Sequence, residues 1–192
     1  MNRLSRILGL MALVLLVPWS ASAQTVGPSL TKVFNKPGFG YTLGYATAWT
    51  EESDLSYTAV FTRPPEGDGG AVTVAISNMK APVQGAPTEG AKMVRDRYIA
   101  ELSSANPKAV VQTKTPFNYR KPGASVDGFQ VVTDFMAGEA PLRQWAVFLP
   151  RPGGTVVHIW LYTATLDNFD SHIPTVQAML NSWTLVGDDV KP

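Results

Sequence analysis

Two stretches, 144-QWAVFL-149 and 156-VVHIWLY-162, decide the fold. Both are rich in β-branched and aromatic residues, and both are apolar on either side of the chain direction. A strand with one wet face alternates apolar and polar residues; a continuous apolar run signals cover on both faces. The two runs are joined by Pro150-Arg-Pro-Gly-Gly154, whose residues suit a tight connection between antiparallel neighbours. The simplest arrangement is a central antiparallel β-sheet flanked by helices. This is an α+β fold layered as an α/β/α sandwich.

Working outward, strands are expected at Tyr41 to Tyr45, Ser56 to Thr62, Ala71 to Ser77, Lys108 to Thr115, Val126 to Phe135, Leu142 to Leu149 and Thr155 to Thr163. The Pro- and Gly-rich segment 63-RPPEGDGG-70 joins the second to the third as a hairpin loop. The last three strands are separated by short turns and read as a meander. Trp183 to Leu185 reads as a short closing strand.

Two helices are expected. In Thr88 to Ser104, Ala91, Val94, Tyr98, Ile99 and Leu102 recur at intervals of three and four and form one apolar stripe. Thr88 is placed to cap its amino end, and Asn106-Pro107 ends it. The second lies within Asp167 to Ser182, with Phe169, Ile173, Val176 and Leu180 on one face. Pro174 would cost about 3 kcal/mol in a helix interior. It is therefore expected in the first turn, with Asp167 to His172 as a lead-in.

The first 23 residues read differently. Arg3 and Arg6 precede the apolar run Ile7 to Val17, and Ser20-Ala-Ser-Ala23 follows Pro18. Charged, then apolar, then small is the pattern of a secretory signal. The run is well short of the roughly 20 residues that span a bilayer. Cleavage after Ala23 and a periplasmic or secreted protein are expected, with no integral membrane span in the mature chain. Residues 24–40 read as a tail, 41–187 as a single domain and 188–192 as a C-terminal tail.

Composition narrows the chemistry. The chain has 16 basic and 15 acidic residues, and losing Arg3 and Arg6 leaves 14 against 15. A near-neutral domain lacks the concentrated basic face that nucleic acid requires. The absence of cysteine removes thiol catalysis, thiolate metal sites and redox exchange. It costs no stability, because a domain of this size buries roughly 70% of its unfolded surface without staples.

His158 is one of two histidines. A catalytic histidine needs a nucleophile, an orienting acid or a metal beside it. No Gly-x-Ser-x-Gly or His-Glu-x-x-His pattern occurs. Asp167, Asp170 and His172 read as the start of the closing helix, where carboxylates cap or favour the dipole, in preference to a metal site. Glu51-Glu52-Ser-Asp54 and Glu66-Gly-Asp68 read as turns, without calcium-loop spacing. No catalytic residue, metal or cofactor is expected.

One constellation carries a binding reading. Alternation places His158, Trp160 and Tyr162 on one face of their strand and Val157, Ile159 and Leu161 on the other. Trp145 or Phe148 lies alongside, depending on register, and Tyr57 and Phe61 extend the face on another strand. Aromatic residues with polar tips suit contact surfaces, because they bury large area and still hydrogen-bond at a rim. The face is either a shallow groove for a peptide or small apolar ligand, or a sheet face under a helix with the tyrosine hydroxyl and imidazole reaching solvent.

The entry Tyr41-Thr-Leu-Gly-Tyr-Ala-Thr-Ala-Trp49, the order of elements, and the closing 179-MLNSWTL-185 with its Ser182-Trp183 pair resemble the PsbP-like and DcrB-like superfamily. The resemblance spans roughly Tyr41 to Leu185; Ala46 departs from it where a proline is expected. It implies a protein that acts by contact, since the members include a lumenal photosystem subunit, a Ran-binding import factor, export-linked chaperones and envelope proteins. It supplies no site residues. The expectation is an exported, non-catalytic envelope protein that binds a protein partner or small ligand. The alternatives are a small periplasmic hydrolase or lyase, and an apolar-ligand carrier.

Overall fold

The computed structural model describes residues 28–36, 38–52, 58–65, 70–83 and 85–186. The expected signal segment, Tyr57 and the acidic pair in 66–68 lie outside the described residues. The elements are β1 (Lys32–Phe34), β2 (Tyr41–Tyr45), β3 (Thr50–Glu52), β4 (Ala59–Arg63), β5 (Val72–Lys80), α1 (Pro87–Ala105), β6 (Val110–Lys121), β7 (Ala124–Ala137), β8 (Ala140–Pro150), β9 (Val156–Thr165), α2 (Leu166–Ser182) and β10 (Thr184–Leu185).

Seven strands form one sheet in the order β3-β4-β5-β9-β8-β7-β6, with every neighbouring pair antiparallel. The chain leaves β5 through α1, reaches the far edge at β6, and returns by the meander to lay β9 against β5. This return places 156-VVHIWLY-162 at the centre of the sheet, where both faces are covered. The double apolar pattern is the consequence of that position.

The two faces pack against different layers. Ala146, Phe148, Val157, Ile159 and Leu161 point towards α1 and meet Ala91, Val94, Tyr98 and Ile99. Val147, Leu149, Trp160 and Tyr162 point to the other side and meet Phe169, Val176, Met179 and Leu180 of α2. They also meet a small second sheet of order β1-β2-β10, which contributes Phe34, Tyr41, Leu43 and Leu185. The sandwich is thus α1, large sheet, then α2 beside a small sheet.

Several sequence expectations require correction. Residues 32–34 lie within the expected tail, yet they form β1 and pair with β2, Lys32 opposite Tyr45 and Phe34 opposite Leu43. Phe34 is buried and stacks on Tyr41, while Val33 faces solvent. Three residues are too few to show a period among Gly and Pro neighbours. Glu51 and Glu52 sit in β3, paired with Phe61 and Val60, instead of in a turn. Thr88 does not cap α1: the helix begins at Pro87, and its cap position, Ala86, makes no side-chain bond. Proline suits the first helical position, where its missing N–H has no partner in any case.

Helix α2 runs unbroken from Leu166, with Pro174 inside it. The first two turns are held from outside the helix. Phe169 is buried, its ring lies 4.6 Å from that of Tyr162, and its carbonyl accepts a 2.6 Å bond from the Tyr162 hydroxyl. These contacts offset the backbone hydrogen bond that Pro174 cannot make.

β6 is also longer than expected, passing through Pro116 to Lys121. β7 stays in register with β8 only as far as Phe129, opposite Phe148. The next residue, Gly128, packs so closely that a Cβ there would lie 2.2 Å from the Phe148 carbonyl oxygen. Here the tip of the β6–β7 hairpin leaves β8. Tyr119 from that tip donates to the Trp183 carbonyl at 3.2 Å and accepts from the Leu185 amide at 3.0 Å. The tip therefore closes over the carboxyl end of α2 and β10.

Candidate functional site

The geometry begins at His158, which is fully buried. Its ring meets Tyr41 edge-on at 5.6 Å and Trp183 at 6.0 Å. Nδ1 lies 2.7 Å from Oδ1 of Asn78, its cross-strand partner on β5. Asn78 Nδ2 in turn donates to the Phe39 carbonyl at 2.9 Å. A carbonyl only accepts, so the amide nitrogen must face Phe39 and the amide oxygen must face the imidazole. Nδ1 therefore carries the proton and donates. The network assigns the tautomer, and it ties β9 through β5 to the segment before β2.

Trp160 and Tyr162 are also fully buried, and Trp145 is 9% exposed. Trp145 lies opposite Tyr162, meets Trp160 at 5.3 Å, and donates from Nε1 to Gln130 Oε1 at 3.0 Å. Register thus brings Trp145 to this face and sends Phe148 to the other, against Tyr98 of α1. Burial, then the negative charges of Glu51 and Asp170 respectively, raise the hydroxyls of Tyr41 and Tyr162 above the ordinary tyrosine range. They act as neutral hydroxyls. The expected shared face exists, but it is an interior wall under α2 and the small sheet. Neither an open groove nor a solvent-facing imidazole is present at His158, Trp160 and Tyr162.

Surface openings lie elsewhere. One cleft of about 300 Å³ runs between α2 and the ends of β4 and β5, with Arg63, Val72, Asn168 and His172 among its lining. Another of about 290 Å³ lies where β6 meets the end of α2, beside Phe117, Lys121, Leu180 and Asn181. Burial lowers the Lys121 ammonium, whose Nζ donates to the Asn181 carbonyl. Among the described residues, no group of three or more His, Asp or Glu side chains is placed to hold a metal. Asp170, expected beside His172, acts electrostatically on Arg143.

The chain was also compared with known proteins. No protein-family model and no curated protein sequence matches it. Solved structures do. Cyanobacterial PsbP from Synechocystis sp. PCC 6803 aligns with a TM-score of 0.55 at 14% identity, over 86% of this chain and 98% of that one. The fold is PsbP-like. LpqN of Mycobacterium tuberculosis, described as involved in cell envelope biogenesis, aligns with a TM-score of 0.54 at 13% identity, over 81% of this chain and 90% of its own. A Bacteroides thetaiotaomicron structure aligns with a TM-score of 0.54 at 15% identity; the present chain is covered over 85% but spans only 52% of that protein.

The most exposed part of this PsbP-like sheet is its β6 end. Nine of the twelve β6 residues are exposed, against two of the eleven in β8, so β6 has little packing role along its outer length. Thr113, Thr115 and Phe117 share the α2 side with Gln130 and Val132 of β7, by register and alternation. They form a shelf beside the helix. Ion pairs brace its opposite face: Lys114 reaches Asp96 of α1 at 2.8 Å, and Arg120 meets Asp127 across the hairpin at 2.5 Å. Hydrophobic patterning did not single out this shelf, because its residues are mostly small and polar. The signal in the sequence was the length of 110-VVQTKTPFNYRK-121, hidden by its proline.

Proposed function

We propose that the protein is an exported factor that acts by binding a protein partner, and that the partner rests on the β6–β7 shelf. One observation carries this reading: the end strand β6 is long, well braced and largely exposed. Strand-to-strand addition on such an edge is opposed by Pro116, Lys114 and the irregular register between Val111 and Thr113. Proline lacks an N–H, and bulges and lysines blunt an edge. Contact through side chains on the shelf remains open to a partner. Export is supported by the charged, apolar and small segments of the first 23 residues. Binding in place of catalysis is supported by His158, whose Nδ1–H is committed to Asn78 inside an aromatic cage.

The test is site-specific photocrosslinking in the intact cell envelope, with the reactive group at Thr115 on the shelf or at Met93 on the outer side of α1. A discrete adduct from Thr115 and none from Met93 is expected, on a protein whose mature amino end is Gln24. Equal labelling from both sites, or no adduct together with turnover of an ester, peptide or glycan, overturns the reading.

A further inference from the structure

The β6–β7 shelf has a side wall. Asp170, Gln177 and Asn181 stand at i, i+7 and i+11, so they form one line along α2. Asn181 borders the cleft that Phe117 and Lys121 also line, and its side-chain oxygen accepts from Gln177 at 2.9 Å. That line is the flank of α2 turned towards β6; Asn168, Ser171, His172 and Thr175 occupy the opposite flank, beside β4 and β5. α2 packs over β8 and β9, and α1 packs over β7 and β8 on the other face of the sheet. Wall and shelf therefore make a trough above β6 and β7. Two strands are about 10 Å wide, the diameter of one helix. The floor holds its own polar groups: Trp145 donates to Gln130 Oε1 at 3.0 Å, and Gln130 Nε2 donates to Thr115 Oγ1 at 3.1 Å. Half-buried Val132 and Phe117 supply its apolar part. An apolar stripe set on this floor strands none of those groups.

We propose that the protein partner lays one amphipathic helix in this trough, antiparallel to α2. The inference rests on the reading that the shelf takes a protein. A helix satisfies its own backbone, whereas an extended segment on a sheet face would bury N–H and C=O groups without strand partners. Charge sets the direction. Among the described residues, neither Asp170 at one end of the trough nor Lys121 at the other makes an ion pair. Asp170 acts on Arg143 only at a distance, because the guanidinium is held by Asp134. The Lys121 ammonium donates to the Asn181 carbonyl, a neutral acceptor, and keeps two further N–H donors. Burial lowers that ammonium, so a carboxylate arriving beside it would offset the lost hydration. Helices favour acidic residues in the first turn and basic ones in the last. A helix that starts at Lys121 and ends at Asp170 therefore matches both charges, and its dipole opposes that of α2; a parallel helix mismatches both. From Asp170 to Asn181 is about 16 Å, or roughly three helical turns.

The experiment is photocrosslinking in the intact cell envelope with the reactive group placed in turn at Val110, Thr115 and Phe117. Each attachment point on the partner is then mapped by mass spectrometry of the digested adduct. Val110 and Phe117 share the α2 side of β6 and lie about 23 Å apart along it. A helix spans that distance in about 15 residues and an extended strand in about 7. Adducts from the two sites are expected about 15 residues apart in one partner segment, with the Phe117 adduct nearer its amino end and the Thr115 adduct between them. Asp170→Asn and Lys121→Gln are each expected to lower the Thr115 yield roughly twofold to fivefold. Asp170→Asn, a change on the exposed helix surface, decides the matter if the lysine variant does not fold. A spacing near 7, the reverse order, adducts in separate segments or from one end alone, or a yield that a folded variant leaves unchanged overturns the helix and leaves partner binding at the shelf standing. No adduct from any of the three sites overturns both.

Discussion

The β8–β9 and β6–β7 hairpins belong to one sheet and are built on opposite terms. In β8–β9, Ala146, Val147, Phe148 and Leu149 face Leu161, Trp160, Ile159 and His158, and all eight are buried. Side chains there are held by layers above and below. In β6–β7 the outer strand is mostly exposed, and its order comes from the Arg120–Asp127 pair across the hairpin, the Lys114–Asp96 pair to α1, the close approach of Gly128 to β8 and the Tyr119 anchor. The difference shows two ways of holding a strand: burial makes each core residue indispensable, whereas bracing at a few points leaves the rest of a strand available for contact.

The sharpest way to break this contrast is Trp160→Ala. Trp160 is fully buried between the sheet and its cover. Its truncation is expected to cost about 3–5 kcal/mol in chemical denaturation, whereas Thr115→Ala on β6 should stay within about 0.5 kcal/mol. A comparable loss at both sites would erase the distinction. Gly128→Ala probes the bracing itself. The new Cβ would meet backbone oxygen at 2.2 Å and Leu149 Cδ2 at 2.7 Å, so β7 must shift. A loss of about 1–3 kcal/mol is expected, with hydrogen exchange accelerated from Phe117 to Val126 and little changed in β9. Uniform acceleration would mean that the tip and the core form one cooperative unit.

A smaller effect is expected at Asp134, where the Arg143 guanidinium donates at 2.6 and 2.8 Å between β8 and β7. Those bonds, against an opposing effect of burial, hold the carboxyl below its usual range. A depressed folded-state pKa gives stability that is present above the unfolded value of about 3.9 and is lost as pH falls through the folded value. Asp134→Asn should therefore cost about 1 kcal/mol at pH 7, and the gap to the wild type should close below about pH 4. A gap that persists into strong acid would assign the loss to packing. Asp96 should behave in the same direction, since hydrogen bonds from Lys114 and Arg95 outweigh the effect of its burial.

Much of the fold was legible because periodicity reports local neighbours. The alternation of His158, Trp160 and Tyr162 against Val157, Ile159 and Leu161 correctly separates the two faces of β9. The apolar stripe of α1 is the stripe that packs. What lay hidden depended on distant chain. Phe34 becomes core only because β2 lies beside it, and Pro174 is tolerated in a helix that Tyr162 and the core hold from outside. For the candidate sites the limit is the same: no local pattern shows that Arg63 and His172, 109 positions apart in number, line one cleft.

By itself the sequence determined the layered α+β class, the absence of thiol chemistry and the two faces of the central strand, because composition and side-chain alternation are properties of neighbouring residues. Only the tertiary structure decided that the His158 face is an interior wall and that β6 lies open at the sheet's end. Those outcomes depend on which layer covers which face, and that is set by packing between segments far apart in the chain.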